Sequence, residues 1–189
     1  MKKKIFYVLF GLVLLLVLST KVDAAKPPRF SGVLSQGVRN IKYYIAPSAS
    51  SVAGYIDNAK HNWMYTGWAN PIYMYKQNHN WLSNIDAHGY TSSGSKTGGY
   101  VEFYDNNDRG IATGGRAPNR NYYYAIIRFN MHYKNNSYMR DRIPRHEMGH
   151  ALGLAHINDK TSIMHPSVEG GPRSVDRDAS NKITDIYGW

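Results

Sequence analysis

His146-Glu147-Met148-Gly149-His150-Ala151-Leu152-Gly153-Leu154-Ala155-His156 places three imidazoles and one carboxylate at the spacing of a catalytic zinc site. Residues four apart on an α-helix lie one above the other, so His146 and His150 can turn their rings toward one ion, with Glu147 beside them. A continuing helix would carry His156 out of reach, and Gly153 is the residue type that ends a helix in a left-handed turn and brings the third ring back. Three neutral nitrogens leave the fourth position of a tetrahedral zinc open to water, which separates a catalytic site from a closed structural one. The competing reading is a solvated helix with scattered histidines. Gly153 argues against it, because it ends the helix where a third ligand must arrive. His61, His79, His88 and His132 have no partner at ligand spacing and read as ordinary surface or core histidines.

Ser162-Ile163-Met164-His165-Pro166 follows at short distance. Together with the longer motif it resembles the metzincin clan of zinc endopeptidases, and within it the matrixin family. The similarity extends to the closing Ile186-Tyr187-Gly188 and is faint upstream. The resemblance implies an α+β (mixed α/β) zincin-like fold. Its twisted, mostly parallel five-stranded sheet carries two long helices, with the active-site helix at the cleft and a third, C-terminal helix below. Met164 would lie under the three zinc-binding histidines without touching the metal, a place that also suits methionine as a core filler. The substrate-binding edge strand would fall within 110–117, and Pro166-Ser167-Val168 would wall the specificity pocket. Counting back from Tyr187 puts Asp178 beneath the methionine turn as a supporting residue.

Several departures from the family limit what carries over. Arg128 and Tyr90 stand where matrixins hold a second, structural zinc, so none is expected. Ala179 replaces the aspartate that grips a freed N-terminus, and the chain has no cysteine to supply the family's latency device. The pocket wall usually reads Pro-x-Tyr, so substrate preference does not transfer. What remains implied is a secreted zinc-dependent endopeptidase acting on extracellular proteins. Its single catalytic Zn²⁺ and Glu147, as general base and then acid, hydrolyse the peptide bond. The alternative is a secreted zinc-containing binding or cell-surface module without peptidase activity, and Glu147 favours the enzyme because a purely structural site has no use for it.

The start of the chain reads Lys2-Lys3-Lys4, an apolar run from Ile5 to Leu18, then Val22-Asp23-Ala24, the three parts of a signal peptide. Residues 1–24 are therefore expected to be a signal peptide, cleaved after Ala24, and 25–189 one matrixin-like catalytic domain without a membrane span. The absence of cysteine excludes disulfides and suits a bacterial secreted protein. Loss of four lysines and one aspartate with the signal lowers the formal charge from +10 to +7, so the domain stays basic. Its cations are spread along the chain, and no nucleic-acid motif accompanies them. A monomer acting on peptide is expected, with an aromatic glycan-binding face as a weaker reading of the many tyrosines. Asp105 to Gly110 offers oxygen ligands at short spacing, which makes calcium a further candidate, although the same residues make an ordinary turn.

Periodicity supplies the elements. Strands are expected at 41–45, 72–75, 100–104 and 122–129. A helix capped by Ser51 should carry Ala53, Ile56, Ala59, Trp63 and Met64 on one side. The closing helix spans 174–187, with Ser174 as its cap. Pro144 either starts the active-site helix near Ile143 or bends it there.

Overall fold

The computed structural model describes residues 26–167 and 171–189; the expected signal segment and Val168 lie outside the described residues. The chain forms β1 (Ile41–Ile45), α1 (Ala53–Met64), β2 (Met74–Lys76), β3 (Ile85–Tyr90), β4 (Gly99–Tyr104), β5 (Gly110–Ala112), β6 (Tyr124–Asn130), α2 (Ser137–Asp141), α3 (Ile143–Ala151) and α4 (Arg177–Tyr187). The strands make one sheet in the order β2-β1-β3-β6-β4-β5. β2, β1, β3 and β6 run parallel to one another, and β4 is antiparallel to both β6 and β5. The mostly parallel α/β architecture is the expected one, with a sixth, three-residue strand at the edge.

Side-chain alternation explains which face is covered. Along β4, Gly99, Val101 and Phe103 are buried while Tyr100, Glu102 and Tyr104 are half-buried, and β6 alternates in the same way. The covered face shares its core with Ile56, Ala59 and Trp63 of α1, which belong to the expected stripe, and β4 and β6 lie against α3. Each such side chain contributes about 1.5–3 kcal/mol on removal from water. Trp63 also donates its indole N–H to the Arg145 carbonyl at 2.9 Å, fixing α1 against the active-site helix. Ser51 does not cap α1. A 3-10 turn over Pro47–Val52 runs straight into the helix, and Ala53 N–H bonds to the Ser50 carbonyl instead.

β3 is a strand that periodicity missed. Its Asp86 is fully buried, and its carboxylate is satisfied by the hydroxyls of Ser83 and Tyr124. A charged residue mid-strand hides the pattern, because its partners lie outside the strand. Pro144 sits in the first turn of α3, where its missing N–H costs nothing to α3 itself. It does prevent a bond back to Arg140, so α2 and α3 are separate helices joined at Arg142.

Candidate functional site

All nine residues of α3 are buried, so its histidines are held by packing before any ligand arrives. The helix ends in a Schellman turn: Leu154 N–H bonds to the Gly149 carbonyl and Gly153 N–H to the His150 carbonyl, with Gly153 at φ +98°. A side chain there would strain the backbone and press on Val33, 3.1 Å from the Cβ position. The turn reverses the chain and carries His156 back to the helix face.

The three Nε2 atoms stand 3.0, 3.1 and 3.1 Å apart. Nitrogens about 2.0–2.1 Å from one tetrahedral ion are roughly 3.3–3.4 Å apart, so the triangle fits zinc within a few tenths of an ångström. The hydrogen bonds agree. His146 Nδ1 lies 2.7 Å from the Ile163 carbonyl and His150 Nδ1 lies 2.8 Å from the Leu154 carbonyl. A carbonyl only accepts, so both rings carry their proton on Nδ1 and present a lone pair at Nε2. Two lone pairs and the His156 nitrogen thus converge on one point, an arrangement that a cation satisfies. Among the described residues this trio brings its ligand atoms within 4.8 Å of one another. Burial lowers the basicity of all three rings, most for His146 and to about 4 for His150.

Glu147 is buried on the same helix, and burial alone pushes its carboxyl up to about 8, a shift that a dication on the neighbouring rings would oppose by favouring the carboxylate. It faces β4 where Gly99 leaves room: a Cβ at Gly99 would lie 2.9 Å from its Cγ. Glu147, the three histidines, Pro166 and Ser167 line one open cleft of about 950 Å³. Residues 114–117 line it too, just beyond edge strand β5, inside the expected 110–117 stretch.

Met164 is fully buried against α3, and only a glycine at 149 permits the approach, since a Cβ there would lie 2.5 Å from the Met164 sulfur. Asp176 holds this turn from the start of α4. Its Oδ2 accepts Ile163 N–H at 2.6 Å and the Ser162 hydroxyl at 3.1 Å, while its Oδ1 caps α4 by accepting Ala179 N–H at 2.9 Å. The cap of α4 is thus Asp176 rather than Ser174, and Asp178 lies in the first turn of the same helix.

Three site residues carry no signal that periodicity or motif could find. Arg142 is fully buried, and its guanidinium donates to the carbonyls of His165, Ser167 and Pro172 at 2.8, 3.1 and 2.6 Å. It lies one turn before His146, a spacing that places it on the same helical side. Phe30 stacks on the His150 ring at 5.6 Å and meets Phe103 edge-on at 5.7 Å. Its neighbour Arg29 bridges Leu154. The third is Asp176 in its supporting role. Asp105 accepts from Asn107 N–H, Arg109 N–H and the Arg109 guanidinium, so its loop is closed as a turn and calcium finds no support there. Arg128 pairs with Glu102 at 2.9 Å.

A family model described as matrixin matches residues 72–188. Over shorter stretches the chain is similar to matrix metalloproteinase-27 of Homo sapiens, 47% identical over 49 residues, covering 24% of this chain and 10% of that protein. It is 36% identical over 47 residues to karilysin of Tannerella forsythia, covering 25% and 10%. A putative matrix metalloproteinase of Trichoplusia ni ascovirus 2c is 34% identical over 120 residues, covering 61% and 22%. The chain thus spans between a tenth and about a fifth of the length of these relatives. They come from an animal, a bacterium and a virus, so the expectation of a bacterial source gains no support.

Proposed function

The chain belongs to the matrixin family, and from that premise we propose that it is a secreted zinc endopeptidase that hydrolyses peptide bonds of extracellular proteins. His146, His150 and His156 hold the ion. When bound, zinc supplies Lewis acidity to a carbonyl oxygen and to water. The protein does the rest. An extended peptide lies in the cleft along the sheet edge, held by backbone hydrogen bonds, with Pro166 and Ser167 walling a side-chain pocket. Glu147 takes the proton of the attacking water on its carboxylate and returns it to the amine nitrogen, which leaves only once protonated. Gly153, Met164 and Asp176 keep the rings in place, Gly153 by turning the chain, Met164 by packing under α3, and Asp176 through Ile163.

Residues 1–24 act in this reading as a signal peptide, and 25–189 as the catalytic domain, monomeric outside the cell. No helix among the described residues is long and apolar enough to cross a membrane.

The observation that carries the proposal is the meeting of three convergent imidazole nitrogens with a buried carboxylate in one open cleft. The test is incubation of the purified protein with an unfolded protein substrate, with and without a zinc chelator. Cleavage that the chelator stops and added zinc restores is expected. A protein that binds zinc yet leaves the substrate intact is a binding module instead.

A further inference from the structure

The charges on the cleft are one-sided. Among its described lining residues the only carboxylate is Glu147, at the floor, while Lys96 and Arg116 are exposed on its rim. Neither cation takes part in an ion pair among the described residues, whereas Arg109, Arg128 and Arg173 elsewhere are paired with acids. An unpaired cation beside a binding groove keeps its full field for an incoming ligand.

The backbone that carries Lys96 is tied on both sides. Lys96 lies between two tied residues: the Tyr133 hydroxyl donates to the Ser95 carbonyl at 2.7 Å, and the Asn130 amide donates to the Thr97 carbonyl at 3.1 Å. Arg116 is the first side chain after Gly114 and Gly115, on the exposed stretch that follows β5. Lys96 precedes the start of β4, and the chain after β5 returns antiparallel toward that same end, so a peptide laid along the sheet edge meets both Lys96 and Arg116. The domain left after loss of residues 1–24 carries +7, which attracts anionic segments from a distance.

We propose that the cleft selects acidic peptide segments, with Lys96 and Arg116 pairing with aspartate or glutamate side chains of the substrate near the scissile bond. This rests on the peptidase reading above and adds the substrate class to it. A pairing at the rim is partly solvated, so it acts chiefly on capture of substrate and weakens with salt.

The test uses the zinc-loaded protein and three quenched-fluorescence peptides of one sequence, flanked at the cleavage point by glutamate, glutamine or lysine. At low salt kcat/KM should rank glutamate over glutamine over lysine, with about a tenfold span between the extremes, and the span should shrink as salt rises. The double variant Lys96→Glu with Arg116→Glu should invert the ranking, and Lys96→Gln with Arg116→Gln should flatten it. Cleavage of all three peptides at equal rates, or a ranking unchanged in the double variants, overturns this assignment and leaves the peptidase reading standing. An unranked series that heparin still blocks gives the two cations to a polyanion and also overturns it. Cleavage of none of the peptides overturns both.

Discussion

Asp176 accepts the backbone N–H of Ile163 at 2.6 Å, and the carbonyl of that same Ile163 accepts from His146 Nδ1 at 2.7 Å. One carboxylate therefore holds the last helix and, through a single residue of the methionine turn, the tautomer of a metal ligand. Asp176→Ala should lower zinc affinity by about 10- to 100-fold, the usual effect of losing an outer partner of a metal-binding histidine. It should also cost roughly 1 kcal/mol as a lost helix cap. Competition with a chromophoric chelator and a denaturant titration read the two effects separately. Unchanged zinc affinity would mean that Ile163 holds its place without Asp176.

Glu147 is buried beside the ligands but is not one of them. Glu147→Gln should keep one zinc per chain and lose at least ~100-fold in kcat/KM, the lower end for general acid–base catalysis. Metal analysis and peptide cleavage on the same preparation check this. Activity within a few-fold of the parent would remove Glu147 from proton transfer.

Much of this site is legible in the residues themselves, because a metal imposes spacing. His146 and His150 must share a helix face and Gly153 must break that helix, so the spacing alone defines α3 and its end. The α1 stripe of Ile56, Ala59 and Trp63 is legible for a similar reason, since one face meets the sheet. What escapes is contact between distant parts of the chain. Phe30 reaches His150 across 120 positions, Asp176 reaches Ile163 from another element, and Asp86 is satisfied in β3 in part by Tyr124 of β6. Arg142 reads as a surface residue in the sequence, since the three carbonyls that surround it come from a later stretch of chain.

Those three carbonyls belong to the stretch that carries Pro166 and Ser167 into the cleft. Arg142→Leu would remove the guanidinium donor from the buried His165 carbonyl and the half-buried Pro172 carbonyl, and each such loss costs about 1–3 kcal/mol. A drop of at least ~2 kcal/mol in unfolding free energy is expected. Arg142→Lys should recover only part of it, because an ammonium lacks the planar fork. In variants that still fold, KM should rise more than kcat falls. A stability equal to the parent's in both variants would show that the stretch supports itself.

Tyr187 ties the last helix to the end of α3, donating to the Leu152 carbonyl at 3.0 Å and accepting Leu34 N–H at 3.1 Å. Burial raises its hydroxyl from the ordinary 10.0 to about 12. A folded-state value above the unfolded one means that the stabilisation is fully present below pH 10 and is lost as pH climbs through about 12. The protein should therefore lose on the order of 2 kcal/mol across that window from this residue, and Tyr187→Phe should flatten that part of the curve. Denaturant titrations at stepped alkaline pH, with tyrosinate absorbance followed in parallel, check it. A pH profile identical in parent and variant would contradict the assignment.

X-ray absorption at the zinc edge, on protein refolded with zinc and freed of excess metal, tests the central claim most directly. One zinc per chain is predicted, with three imidazole nitrogens at about 2.0–2.1 Å and a further light ligand, falling to no tightly held zinc in His150→Ala. A metal-free parent protein, or a zinc shell unchanged by His150→Ala, would contradict it.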